Sequence, residues 1–163
     1  MPSAAAAQIT NPPNRAKQKA QPLADRDFDA LLMMAEGAAA QLGVKYAEDV
    51  NLTALKLARL SAFARRDTNL QASTLTEIQD MAFELRGEGA SFGFDVVSLV
   101  ADSLYKVIDD LEDSPTKLRL KIVEMHALAL NALLAGGIRA AEEDEIARQI
   151  IAALGAARKR AAA

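Results

Sequence analysis

One histidine, His126, and no cysteine set the chemistry open to this chain. A nucleophilic imidazole has a single candidate, and a thiol nucleophile, a disulfide framework or a zinc-thiolate centre has none. His126 falls near the centre of an apolar arc with Ile122, Val123, Leu130 and Leu133. That placement predicts a buried, hydrogen-bonded imidazole, with a phosphoryl-accepting histidine as the alternative. The acidic run Glu142-Glu143-Asp144-Glu145 lacks the glycine turn of a calcium loop, and its charge suits the start of a helix. Gly87-x-Gly89 follows no strand and precedes no Gly-Lys-Ser/Thr, so it is not a phosphate loop. These patterns predict no metal, no cofactor and no enzyme chemistry.

Binding chemistry is better represented. Leu75, Ile78, Ala82, Leu85, Gly89 and Phe92 recur at helical spacing and define one buried seam, with Ser73 or Thr74 as the expected cap. At 100° per residue Phe83 lies about 130° around the axis from that seam, on the outward face. Gly87 is one turn later on the same side, and Arg86 lies on the flank. A glycine inside a helix costs about 1 kcal/mol relative to alanine. Gly89, on the seam, is explained by the close approach of a neighbouring helix; the outward Gly87 is explained by the close approach of a partner. The alternative for Phe83 is that the segment before residue 70, or the N-terminal tail, folds over it. Gln79, Asp80, Phe83, Arg86, Gly87 and Ala90 are the candidate partner-binding residues.

These residues need a scaffold, and the composition predicts an all-α one. Apolar residues make up 51% of the chain, much of it alanine, and aromatics only 4%. Residues 1–24 carry Pro2, Pro12, Pro13 and Pro22 without amphipathic period and read as a flexible tail, a solvated leader or a docking arm. A single domain is expected over residues 25–160. Its first helix runs from Asp25 through Phe28, Leu31, Leu32, Ala35, Ala39 and Leu42, with Gly43 as the stop. A second, over 46–66, is expected to bury Val50, Leu55, Ala58, Ala62 and Phe63. Beyond Gly93 a stripe of Val97, Val100, Leu104, Val107, Ile108 and Leu111 predicts another helix, closed by Glu112-Asp113-Ser114-Pro115. The helix over 116–135, with Leu118, Ile122, Val123, Met125, Ala129, Leu130, Leu133 and Leu134, should be the most buried and end at Gly136-Gly137. A last helix spans about 142–160, acidic at its start and basic at Arg158-Lys159-Arg160. Short connections predict antiparallel packing in a helical bundle.

A formal charge of −3 argues against nucleic acid as the partner and for protein. Nothing in the sequence has the form of a secretion signal or an eighteen-residue apolar span, so a cytoplasmic protein with no membrane contact is expected.

The segment from Ile78 to Gly93, Ile-Gln-Asp-Met-Ala-Phe-Glu-Leu-Arg-Gly-Glu-Gly-Ala-Ser-Phe-Gly, resembles the active helix of histidine phosphotransfer (HPt) domains, whose motif is His-x-Leu/Ile-Lys-Gly. Residues 95–110 and 123–128 are similar to a bacterial, alphaproteobacterial subgroup of these domains, so the resemblance spans about 45–150. It implies an HPt-like four-helix bundle with additional N- and C-terminal helices, in which Leu85 takes the apolar position, Arg86 that of the lysine supporting the phosphoryl group, and Gly87 that of the glycine admitting a receiver domain. Phe83 stands where the family has its phospho-accepting histidine, and a phenyl ring has no nucleophilic nitrogen. The resemblance therefore implies a pseudo-HPt protein of two-component phosphorelay signalling, whose partner is a response regulator's receiver domain or a histidine kinase. Two alternatives remain: an active relay protein using His126, and a helical scaffold or oligomerisation module.

Overall fold

The computed structural model describes residues 25–111, 115–142 and 144–162, and helices account for nearly all of them. They are α1 (Asp25–Arg66), α2 (Gln71–Glu88), α3 (Asp95–Asp109), α4 (Lys117–Ala135) and α5 (Glu145–Ala162), with a single 3-10 turn (Ala90–Phe92) between α2 and α3. The N-terminal tail, residues 112–114 of the expected turn and Glu143 of the acidic run lie outside the described residues. None of the described helices is long and apolar enough to cross a membrane. The chain divides into two compact units, residues 1–38 and 39–163.

In the first unit the described residues belong to the start of α1. The two helices expected before residue 66 are one: the chain passes through Gly37 and Gly43 without breaking, and neither glycine has a positive φ. Without a left-handed residue and a following breaker, glycine lowers helix propensity but does not end a helix. Phe28, Leu31 and Leu32, from whose spacing the first helix is read, are about half exposed.

The second unit is built on one apolar core drawn from α1 to α5. Tyr46, Val50, Ala54, Leu57, Ser61 and Ala64 form the face that α1 contributes. Leu55 and Phe63, expected inside, are exposed, because a run with leucine on several sides does not fix its phase until its neighbours do. The seam of α2 is as read: Leu75, Ile78, Ala82 and Leu85 are buried and Phe92 stacks on Tyr46 at 4.4 Å. The cap is not. The helix starts at Gln71, and the hydroxyls of Ser73 and Thr74 donate to the Leu70 carbonyl from within the first turn. The carboxylate of Asp67 instead accepts from the Asn69 and Leu70 amides just before the helix.

Every residue of the predicted α3 stripe is buried. In α4, Ile122, Val123, Leu130, Leu133 and Leu134 are buried, whereas Leu118 and Met125, assigned to the same arc, face outward and Leu120 and Ala127 take the interior. Thr116 caps α4 by accepting from the Arg119 amide, and Gly137, at φ 71°, turns the chain after it. The Arg139 carbonyl then accepts the Val96 amide at 3.0 Å, satisfying an N-terminal donor of α3. Asp144 caps α5 by accepting from Ala147 at 2.9 Å, so α5 starts later than its acidic run suggests.

Candidate functional site

The outward face of α2 carries an aromatic-cationic cluster shared with α3. Phe83 is 55% exposed, as its phase relative to the seam requires. Its ring centroid lies 6.1 Å from that of Tyr105 on α3, inclined at 52°. The Arg86 guanidinium sits 4.9 Å from the Phe83 ring and 5.0 Å from the Tyr105 ring, bridging both aromatic faces. Its Nη1 is 3.6 Å from Oδ1 of Asp102, whose second oxygen accepts from Lys106 one turn along α3. The cation is thus held between two rings and a carboxylate, with about a third of its side chain accessible.

Gly87 continues this face, and a methyl group there would meet nothing within 4 Å. The backbone is open at that point. Gly89, two residues on, is the reverse case. A Cβ would lie 2.6 Å from Oγ of Ser98, 2.9 Å from the Phe94 carbonyl oxygen and 2.9 Å from the Ser98 nitrogen. Its own conformation, φ −52° and ψ −53°, is available to any residue, so the glycine is required by the neighbouring backbone. The Phe94 amide donates to its carbonyl at 2.8 Å and the Ala90 amide to Ser98 Oγ at 2.8 Å, which closes the corner between α2 and α3.

The six candidate residues do not form one patch. Asp80, Phe83, Arg86 and Gly87 occupy adjoining positions on exposed or half-exposed helix surface. Gln79 turns toward a cleft it shares with Gln71, Leu75, Ile108, Leu111 and Pro115. Ala90 borders a different depression, with Asp95, Ser98, Leu99 and Ala141. The span from 79 to 90 is about 16 Å of helix, so these two mark opposite ends. Tyr105 and Asp102 were not among the candidates. Both lie off the α3 stripe at a spacing of three, which places them side by side on one helix face; that this face adjoins Phe83 depends on how α3 packs on α2.

His126 is fully buried. Its Nδ1 is 2.8 Å from the Ile122 carbonyl oxygen, which can only accept, so Nδ1 carries the proton. Nε2 is therefore the acceptor, and Ser103 Oγ donates to it at 2.9 Å. Burial pushes the imidazole below its ordinary value of 6.5; the bond to Ile122 opposes the shift and the Arg158 cation adds to it. Both nitrogens are occupied and no face of the ring reaches solvent, the arrangement of a core histidine. Among the described residues no three His, Cys, Asp or Glu side chains gather into a set able to hold a metal ion.

The cluster around Phe83 holds neither a histidine nor a cysteine, and Arg86, Asp102 and Lys106 are engaged with one another or with a ring. What it can do is bind: an aromatic and an arginine anchor beside open backbone are the groups that most often dominate an interface. Comparison of the chain with family models, with curated proteins and with solved structures finds no match, so the functional argument rests on this geometry and on the sequence around it.

Proposed function

We propose that this chain is a non-catalytic relative of the histidine phosphotransfer proteins, a bacterial and cytoplasmic component of a phosphorelay that binds a receiver domain or the histidine kinase of the same pathway. In this reading the helices of the second unit correspond to an antiparallel HPt-like bundle with additional terminal helices. The docking surface is the outward face of α2 around Phe83, Arg86 and Gly87, widened by Tyr105 and Asp102 of α3. It acts by occupying the surface that an active phosphotransfer protein would use.

The observation that carries the reading is the exposed Phe83 ring, packed with Arg86 and followed by an open Gly87, on the segment that resembles the HPt active helix. The absence of chemistry in the proposal follows from the phenyl ring at that position and from the double hydrogen bonding of His126 in the core.

Capture of receiver domains from the source organism, with the intact chain as bait, tests it. The wild-type chain is expected to retain at least one receiver, and Gly87→Trp, which fills the open backbone without touching the core, is expected to lose it. Incubation with a phosphorylated receiver should leave no label on the chain. Failure to bind any receiver or kinase, equal binding by Gly87→Trp, or label that disappears in His126→Ala overturns the proposal.

A further inference from the structure

Helix α1 carries an apolar repeat outside its buried residues Tyr46, Val50, Leu57 and Ala64. Phe28, Leu32, Ala35, Ala39 and Leu42 recur with spacings of four, three, four and three. In this part of the helix the stripe is uncovered: Phe28 is 59% exposed, Leu32 47% and Leu42 57%, and Leu31 on its flank is 52% exposed. A helical segment with glycines at 37 and 43 and so much apolar surface in water is one that a packing partner would stabilise.

We infer that this half of α1 pairs with the same half of α1 from a second copy of the chain, forming an antiparallel two-fold dimer centred near Ala35. A sustained four-three repeat is the seam that fits a second seam of its own kind. An antiparallel pairing about Ala35 brings Phe28 level with Leu42 of the second copy, Leu32 with Ala38, Ala39 with the flanking Leu31, and Ala35 with itself. Small residues then sit at the centre, where the backbones come closest, and large ones fill the ends. Between residues 28 and 44 the charged residues are Asp29 and Glu36. A parallel pairing sets each acid beside its own copy, whereas the antiparallel pairing sets them level with Gln41 and Met34. The four large seam and flank residues carry roughly 100 Å² of exposed apolar surface each, so with the intervening alanines the pair buries on the order of 1,000 Å² in total. That is the lower end of specific interfaces, so the dimer is a micromolar, concentration-dependent one.

The test uses the full chain. Sedimentation of the wild type is expected to show a monomer-dimer equilibrium with a midpoint in the micromolar range. Ala35→Glu, which brings two carboxylates together at the two-fold axis, is expected to give monomer with an unchanged helical circular dichroism spectrum, and Met33→Glu, off the seam, to leave association intact. Because the chain has no cysteine, Ala35→Cys supplies an independent readout: mild oxidation should yield a disulfide-linked dimer, and Met33→Cys should not. A wild type that stays monomeric through the high micromolar range overturns the inference, including the case in which the α1 amides are protected because residues 1–24 cover the stripe. So does association that survives Ala35→Glu, or cross-linking that is as efficient from position 33 as from 35.

Discussion

Alanine in place of Gly87 and alanine in place of Gly89 should change stability in opposite directions, although the two positions are only two residues apart at the end of one helix. At Gly87 the new methyl group meets nothing within 4 Å and the residue is exposed, so only the helix propensity difference acts. That is a gain of about 0.8–1 kcal/mol. At Gly89 the same methyl would be 2.6 Å from Ser98 Oγ and 2.9 Å from two backbone atoms of the α2–α3 corner, where ordinary contact begins near 3.4 Å. Ser98 could rotate away only by giving up its bond to the Ala90 amide, worth about 1 kcal/mol, and the backbone atoms could retreat only by opening the corner. Overpacking of this kind costs about 1–3 kcal/mol on top of that lost bond, so after the propensity gain of about 1 kcal/mol the net loss is roughly 1–3 kcal/mol. Urea unfolding reads both. With a slope of about 2 kcal/mol per molar, Gly89→Ala lowers the midpoint by roughly 0.5–1.5 M and Gly87→Ala raises it by about 0.4 M. Two shifts of the same sign would show that the α2–α3 corner is not packed as described, and a destabilised Gly87→Ala would remove the argument that this backbone is open for a partner.

Tyr46→Phe should stabilise the fold by about 1 kcal/mol in urea unfolding, because the Tyr46 hydroxyl is buried without a hydrogen-bond partner while the ring packs on Phe92 and Phe94. Burial, with the Glu88 carboxylate adding to it, pushes this phenol up to about 12 from 10.0. The unfolded chain therefore ionises first, wild-type stability falls as pH rises from 10.0 toward about 12, and that part of the loss disappears in Tyr46→Phe. His126 works in the other direction. Its folded value is depressed, so the neutral side chain adds no pH dependence above 6.5, and below it stability falls by up to about 1.4 kcal/mol per pH unit until the folded value is reached. The difference in melting temperature between wild type and His126→Gln, measured from pH 8 to pH 5, should show this slope in the wild type alone. For the proposed docking surface, Phe83→Ala should weaken binding to a captured receiver at least about tenfold by calorimetry, with unfolding shifted by less than about 1 kcal/mol. Asp102→Asn should weaken it by less than about fivefold, because an ion pair this exposed contributes under 1 kcal/mol.

Helix α3 and the buried seam of α2 are legible because each has a period that only one face satisfies, and α5 is legible from its acidic start and basic end. The stripes from Val97 to Leu111 and from Leu75 to Leu85 lie inside along their whole length. Helix α1 was harder for a physical reason. Gly37 and Gly43 look like punctuation, but a helix ends there only if the chain turns to a left-handed residue, and nothing local decides that. Leu118 and Met125 were misassigned because α4 is apolar on more sides than its neighbours cover, so its periodicity could not choose the solvent edge. At the site, the outward position of Phe83, the open Gly87 and the crowded Gly89 all follow from phase alone. Tyr105 and Asp102 do not, since their nearness to Phe83 and Arg86 depends on how α3 packs on α2.

The energetics of the Phe83 cluster bear on the proposed docking role, because the cluster stabilises the chain itself very little. A cation held over an exposed aromatic ring contributes about 0.5–1 kcal/mol, and the Arg86–Asp102 pair, at 3.6 Å with both side chains about a third accessible, adds at most a similar amount. Over two rings and one carboxylate these contributions together reach about 1–3 kcal/mol, which roughly offsets the cost of holding a long arginine side chain in one place, about 2 kcal/mol of rotamer entropy. Within this chain alone the cluster is therefore close to neutral for stability. Covering it changes the balance, because removing water from around Arg86 raises each ring interaction toward about 2 kcal/mol while Asp102 and the two rings have already restricted the guanidinium. A cluster that stabilises little until it is covered gains most of its favourable energy on association, and the exposed edge of Phe83 is where that cover would have to come.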